Sequence, residues 1–88
     1  MMNPIETIIR SVPATKRADT LVELGMTKEP GKRMEYAQEL VMLRDKLAER
    51  AANAIYAHAL PVAAEFIQYA MACEEAAWRL TGKRACDE

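Results

Sequence analysis

The sequence is poor in the residues that usually carry chemistry. It has one histidine, His58. No HxxxH, CxxC or ExxH spacing surrounds His58, so a metal site has no second ligand to build on. A general base needs an orienting group and something to act on, and neither is legible here. His58 therefore reads as a helix-end residue hydrogen-bonded near Pro61. Two cysteines, Cys73 and Cys86, are too few for a disulfide framework and read as reduced thiols. Only three glycines are present and no stretch alternates apolar with polar, so β-hairpins have no material. The net charge is −1 with the two signs intermixed, which gives no support for a bulk electrostatic grip on nucleic acid or anionic lipid.

Uninterrupted apolar sequence is lacking too. The most hydrophobic run, residues 54–73, contains His58, Pro61, Glu65 and Gln68, and much of the rest is alanine. A carboxylate in lipid costs on the order of a few kcal/mol, so a membrane span is not expected. The first residues do not follow a basic segment with an apolar one, so no signal peptide is expected. The chain reads as cytoplasmic, with no membrane association and no cofactor.

What the sequence does have is alanine and helical periodicity. The expected fold class is all-α: a small helical bundle in which two short N-terminal helices pack on a long antiparallel or bent pair, residues 28–59 and 62–81. Eighty-eight residues make one domain, 1–88, with 85–88 as a frayed tail. A core this small is marginal, and association helps such chains.

Asn3, Pro4 and Glu6 form a helix start, with Asn3 as cap and Glu6 closing a capping box. Ile5, Ile8, Ile9 and Val12 follow on one face until Pro13 ends the helix. A second helix shows Ala14, Ala18, Leu21 and Val22 on its apolar side and stops at Gly25, expected in the left-handed cap position with Met26 folding back. Thr27 is the expected cap of the third helix. Its apolar face reads Ala37, Leu40, Val41, Leu47, Ala48, Ala51, Ala54 and Ile55. Pro61 implies a break or sharp bend, although no glycine or asparagine marks a turn. Gly82 closes the last helix, with Lys83 and Arg84 near its negative end.

That last helix organises the rest. Val62, Phe66, Tyr69, Cys73, Ala76 and Leu80 recur at four-three-four-three-four spacing, the rhythm of a packed seam. Ile67, Met71 and Trp78 lie on the other side. A helix apolar on two sides must be buried on two sides. The rest of the chain covers one; a second copy or another protein is the expected cover for the other. Arg44 interrupts the apolar face of the third helix and needs a carboxylate (Asp19, Glu23 or Glu65), water, or a partner. Arg44, Tyr56, Ile67, Met71 and Trp78 are the expected partner or dimer contacts.

The functional expectation is a non-enzymatic protein–protein interaction module, a small adaptor, inhibitor or regulator acting on another protein's surface as a homodimer formed through the last helix and the alanine-rich end of the third. The alternative is a helix-turn-helix-like DNA-binding regulator using residues 27–36, with Lys28, Lys32 and Arg33 facing DNA. Pro30, Gly31 and the near-neutral charge make nucleic acid the weaker partner. Glu65, Glu74 and Glu75 lack the ExxH that a carboxylate-bridged metal centre requires. Glu75 and Arg79 read as an exposed ion pair.

Overall fold

Asn3 starts the first helix by accepting the Ile5 N–H on its side-chain oxygen at 2.8 Å, and Pro4 occupies the first helical turn, where its missing N–H costs nothing. The computed structural model describes residues 3–82. Within them the elements run α1 (Pro4–Ser11), a 3-10 turn (Ala14–Lys16), α2 (Arg17–Met26), α3 (Pro30–Tyr56) and α4 (Leu60–Thr81), with no strand among the described residues. The fold is a small all-α bundle. Lys83, Arg84, the tail 85–88 and Cys86 lie outside the described residues.

Glu6 does not close a capping box. Its side chain, 5 % exposed, reaches from α1 to α3 and meets Arg50 at 2.7 Å, with Arg10 at 3.5 Å. A carboxylate this buried needs such a partner. Arg17 makes the matching latch from α2, donating its Nε–H to the Ile9 carbonyl at 3.1 Å. Its guanidinium also lies 4.7 Å from the centre of the Tyr69 ring, and that of Arg10 lies 5.4 Å from it. Two short helices that could not stand alone are thus tied down by cations as well as by Ile5, Ile9 and Leu21.

The α2–α3 junction corrects two expectations. Gly25 does not cap α2: it lies inside the helix, is buried, and has no positive φ. Its reason is proximity, because a β-carbon there would meet Leu80 Cδ1 at 2.7 Å and Tyr36 Cε2 at 2.9 Å. Thr27 does not cap α3. It is the last residue of the α2 cap and donates its hydroxyl to the Leu24 carbonyl at 2.7 Å, while Glu29 precedes α3 with no side-chain cap bond. The open carbonyls at the end of α2 are satisfied instead by Arg33, which donates to Gly25, Met26 and Lys28 at 3.2–3.3 Å.

Pro61 accompanies a true turn. α3 ends at Tyr56, the Ala59 N–H bonds to the Ala54 carbonyl at 2.8 Å and the His58 N–H to the Ile55 carbonyl at 3.0 Å. These are the two bonds of a Schellman cap. His58 takes the left-handed position, φ 59°, that glycine or asparagine usually fills. Pro61 then sits in the first turn of α4. The hairpin is antiparallel: Arg44 pairs with Glu74, and Ile55 lies near Ile67. α3 and α4 make the most extensive contact in the molecule, and α2 packs mainly on α4.

The core lies where α1 and α2 cover one side of this hairpin. Ile9, Leu21, Leu40, Leu47 and Cys73 are its largest wholly buried side chains. The seam on α4 holds from Phe66 to Leu80, but Val62 is left exposed. On α3 the buried set includes Tyr36 and Leu43, whereas Ala48 and Ile55 face outward. The Tyr36 hydroxyl donates to the Leu21 carbonyl at 2.9 Å, so the one polar atom of a buried ring is spent on α2.

Candidate interaction surface

The side of the hairpin away from α1 and α2 has no cover. Between α3 and α4 runs an open groove of about 330 Å³, with Ala48, Ala51, Ala52 and Ala70 as its small residues and Ile55, Ile67 and Met71 as its large ones. Met71 is 63 % exposed, Ile55 49 % and Ile67 43 %. Fully burying a side chain of this size is worth about 1.5–3 kcal/mol, and roughly half of that is still unclaimed at each of the three. Their contiguity matters more than their number, since isolated exposed apolar residues are ordinary.

Four of the five expected contact residues come together here. Arg44, Ile67 and Met71 line the groove. Met71 and Trp78 border the adjoining hollow, with Glu74 and Glu75. Tyr56 stands apart: it is 88 % exposed at the end of α3 and does not line the groove.

Arg44 closes one end of the groove. Its guanidinium bridges the helices, meeting Glu74 on α4 at 3.1 Å and its neighbour Asp45 at 2.7 Å. The carboxylates expected for it, Asp19, Glu23 and Glu65, are not the ones it reaches: Asp19 pairs with Arg79 at 2.7 Å, and Glu65 accepts the Tyr69 hydroxyl. The Arg44 side chain remains 22 % exposed, and both its carboxylates are more open.

The sequence did not single out Ala52 and Ala64 as surface, and its periodicity assigned Ala48 and Ile55 to the core. A signal was present. Leu60, Ala64, Ile67, Met71, Glu74 and Trp78 repeat the four-three-four-three-four spacing of the buried seam on the opposite side of α4. A second groove, between α2 and α4, is bordered by Ala14, Ala18 and again Met71. Met71 therefore borders two grooves, an alanine-lined one towards α3 and a mixed one towards α2 that Arg17, Asp19, Gln68 and Glu75 also line.

Nothing comparable gathers around other side chains. His58 is exposed in the α3–α4 turn, and among the described residues no group of three or more His, Cys, Asp or Glu is placed to hold a metal ion. The cations of the 27–36 segment are engaged within the chain. Arg33 caps α2, the Lys28 ammonium lies 5.3 Å from the centre of the Tyr36 ring, and Lys32 pairs with Glu35 at 3.8 Å. No helix among the described residues is long and apolar enough to cross a membrane. Comparison with protein-family models, curated proteins and solved structures found no match.

Proposed function

We propose that this chain is a non-enzymatic protein–protein interaction module that works as a homodimer through the open face of the α3–α4 hairpin. The observation that supports it most directly is the contiguous apolar surface of Ile55, Ile67 and Met71 beside an alanine-lined groove. An aliphatic ridge next to a trough of small residues suits helix-on-helix packing, where ridges seat in grooves. The same reading makes it an adaptor, inhibitor or regulator. With the groove closed by dimerisation, the exposed methionines Met26, Met34 and Met42 are left as adaptable contacts for a second protein. It also places the module in the cytoplasm, where a buried thiol such as Cys73 stays reduced.

DNA binding through residues 27–36 is the weaker reading. It would draw on Lys28, Lys32 and Arg33, each already partnered inside the chain.

Size-exclusion chromatography with light scattering tests the proposal. The expected species at micromolar concentration is a dimer, and Met71→Glu is expected to give a monomer with unchanged helical circular dichroism. A wild-type monomer over the micromolar range would remove the main support.

A further inference from the structure

α1 is the helix least embedded in the molecule. It approaches α2 at few points and α3 and α4 at fewer still, whereas α2 packs along α4. Among the described residues, no backbone hydrogen bond joins α1 to another element. Ile5, Glu6 and Ile9 are its buried residues. Two buried aliphatic side chains are little to set against the ordering of a helix too short to hold itself.

Three polar ties add to them, and each is an arginine. Arg50 of α3 meets the buried Glu6 carboxylate at 2.7 Å. Arg17 of α2 donates to the Ile9 carbonyl at 3.1 Å. The Arg10 guanidinium lies 5.4 Å from the centre of the Tyr69 ring and 6.0 Å from that of Phe66, both on α4. Arg50 and Arg10 are partly exposed, so water competes for both.

The limit of the loosely held unit is set by the chain itself. Val12 is extended, φ −108° and ψ 152°, and the proline after it favours that conformation whether or not α1 is docked. From Pro13 onward the chain is held by other means. The Lys16 N–H bonds to the Pro13 carbonyl at 2.9 Å. α2 is anchored by the wholly buried Leu21, by the Tyr36 hydroxyl on the Leu21 carbonyl and by the Asp19–Arg79 pair to α4. The tie that crosses the hinge is the Arg17–Ile9 bond.

Beneath α1 lies apolar surface of the hairpin. Asn3 stands beside Leu43 on α3, Glu6 at Arg50, and Arg10 at Tyr69 on α4. α1 thus crosses from α3 to α4, over the core that Leu47, Tyr69 and Cys73 share with Ile5 and Ile9. The Glu6 carboxylate is near enough to Cys73 to act on its thiol.

We infer that α1 is a strap that opens as one unit about Val12–Pro13 while α2, α3 and α4 stay folded, uncovering the seat of Ile5 and Ile9 and the Cys73 thiol within it. The arginine ties make the closed state depend on the charge of Glu6. The seat lies on the side of the hairpin opposite Ile67 and Met71, so the inference is independent of what covers the open groove.

Hydrogen exchange and thiol labelling under native conditions test it on the full chain, the labelling in a Cys86→Ser background so that Cys73 is the thiol read. Amides 8–11 and the Cys73 thiol are expected to react through one opening, at least about tenfold more frequent than the opening that exchanges the Leu47 amide. Its dependence on urea should be weak, because little surface is exposed. Glu6→Gln keeps the shape and removes the charge, and should speed both reactions about tenfold. Leu80→Ala acts at the Gly25–Tyr36 contact, about 16 Å beyond Tyr69 along α4 at 1.5 Å per residue. It should speed exchange at Leu47 and leave amides 8–11 and Cys73 unchanged. Cys73 labelling with a steep urea dependence and a rise in Leu80→Ala would mean that the thiol is reached only by global unfolding, and overturns the inference. Early exchange of amides 8–11 with Cys73 still protected would mean that α1 frays in place, and overturns it too.

Discussion

Leu80 on α4 occupies the space a side chain on Gly25 of α2 would need: its Cδ1 lies 2.7 Å from where a β-carbon would stand, and the Tyr36 ring edge lies 2.9 Å from it. Three helices meet at this point. Gly25→Ala should gain about 1 kcal/mol in helix propensity and lose about 1–3 kcal/mol to overpacking. Leu80 is half-buried and can turn aside, but the Tyr36 ring is pinned by its bond to the Leu21 carbonyl. The clash should win, giving net destabilisation in urea unfolding. Leu80→Ala should relieve part of it, so the double variant should be more stable than the sum of the two single changes implies. A more stable Gly25→Ala protein would refute the close contact.

The left-handed φ of 59° at His58 has no compensating side-chain bond among the described residues, only the backbone bond to Ile55. A residue with a β-carbon pays about 1–2 kcal/mol for that conformation. His58→Gly should therefore raise stability by about 1 kcal/mol, less the extra entropy glycine brings to the unfolded chain. His58→Ala should change little, because alanine meets the same strain. Equilibrium urea curves for the three proteins settle the order. Equal midpoints for Gly and Ala would mean the turn is not held in this conformation.

These two sites also show what a sequence can disclose. Helix number, the Asn3 and Gly82 caps, the Glu75–Arg79 pair and the α4 seam were legible, because periodicity and capping are local. The role of Gly25 was not, since a close approach depends on which helix arrives at that spot. His58 hid the hairpin turn by standing where glycine was expected. Arg44 was marked as anomalous from its place on an apolar stripe, yet its partner Glu74 lies thirty residues away and follows only from the hairpin register. Of the open surface, the α4 half could be read from two-sided hydrophobicity, and the alanine-rich end of α3 was expected beside it. Which α3 residues face outward could not be read, because Ala48 and Ile55 look like core until α1 and α2 are seen to cover the other side.

Alkaline pH should unfold the protein earlier than its composition implies. Burial pushes the Cys73 thiol from its ordinary 9.0 to about 12, helped by the nearby Glu6 carboxylate. Burial likewise pushes the Tyr36 hydroxyl from 10.0 to about 12. Both groups hold their protons more tightly folded than unfolded. Above pH 9 the unfolded chain releases protons that the folded chain keeps, so stability is complete below that pH and falls as pH rises towards 12. Thermal melts between pH 7 and 11 should show a midpoint that declines from about pH 9. In Cys73→Ala the decline should begin nearer pH 10, where Tyr36 and Tyr69 remain, the latter's hydroxyl held up by its bond to Glu65. An unchanged onset would show that the thiol is not shielded as the fold places it.

Arg44 separates a structural role from an interface role, because the two leave different signatures. As an intrachain bridge between Asp45 and Glu74, with its own side chain 22 % exposed and theirs 65 % and 38 %, it should contribute only about 0–1 kcal/mol to folding. Arg44→Ala should cost that much, plus what its stem contributes by packing beside Ala48 and Met71. At a dimer seam the same change leaves Glu74 unpaired where water is excluded, and truncating one partner of such a pair costs about 2–5 kcal/mol of binding. The dimer dissociation constant should then rise by at least about tenfold, and Arg44→Ala/Glu74→Ala should recover part of it by removing the stranded carboxylate. Sedimentation equilibrium gives the dissociation constant and urea unfolding of the monomeric Met71→Glu background gives the folding cost. A small folding cost with a large association loss places Arg44 in the seam. Equal, small changes in both would confine it to holding α3 against α4.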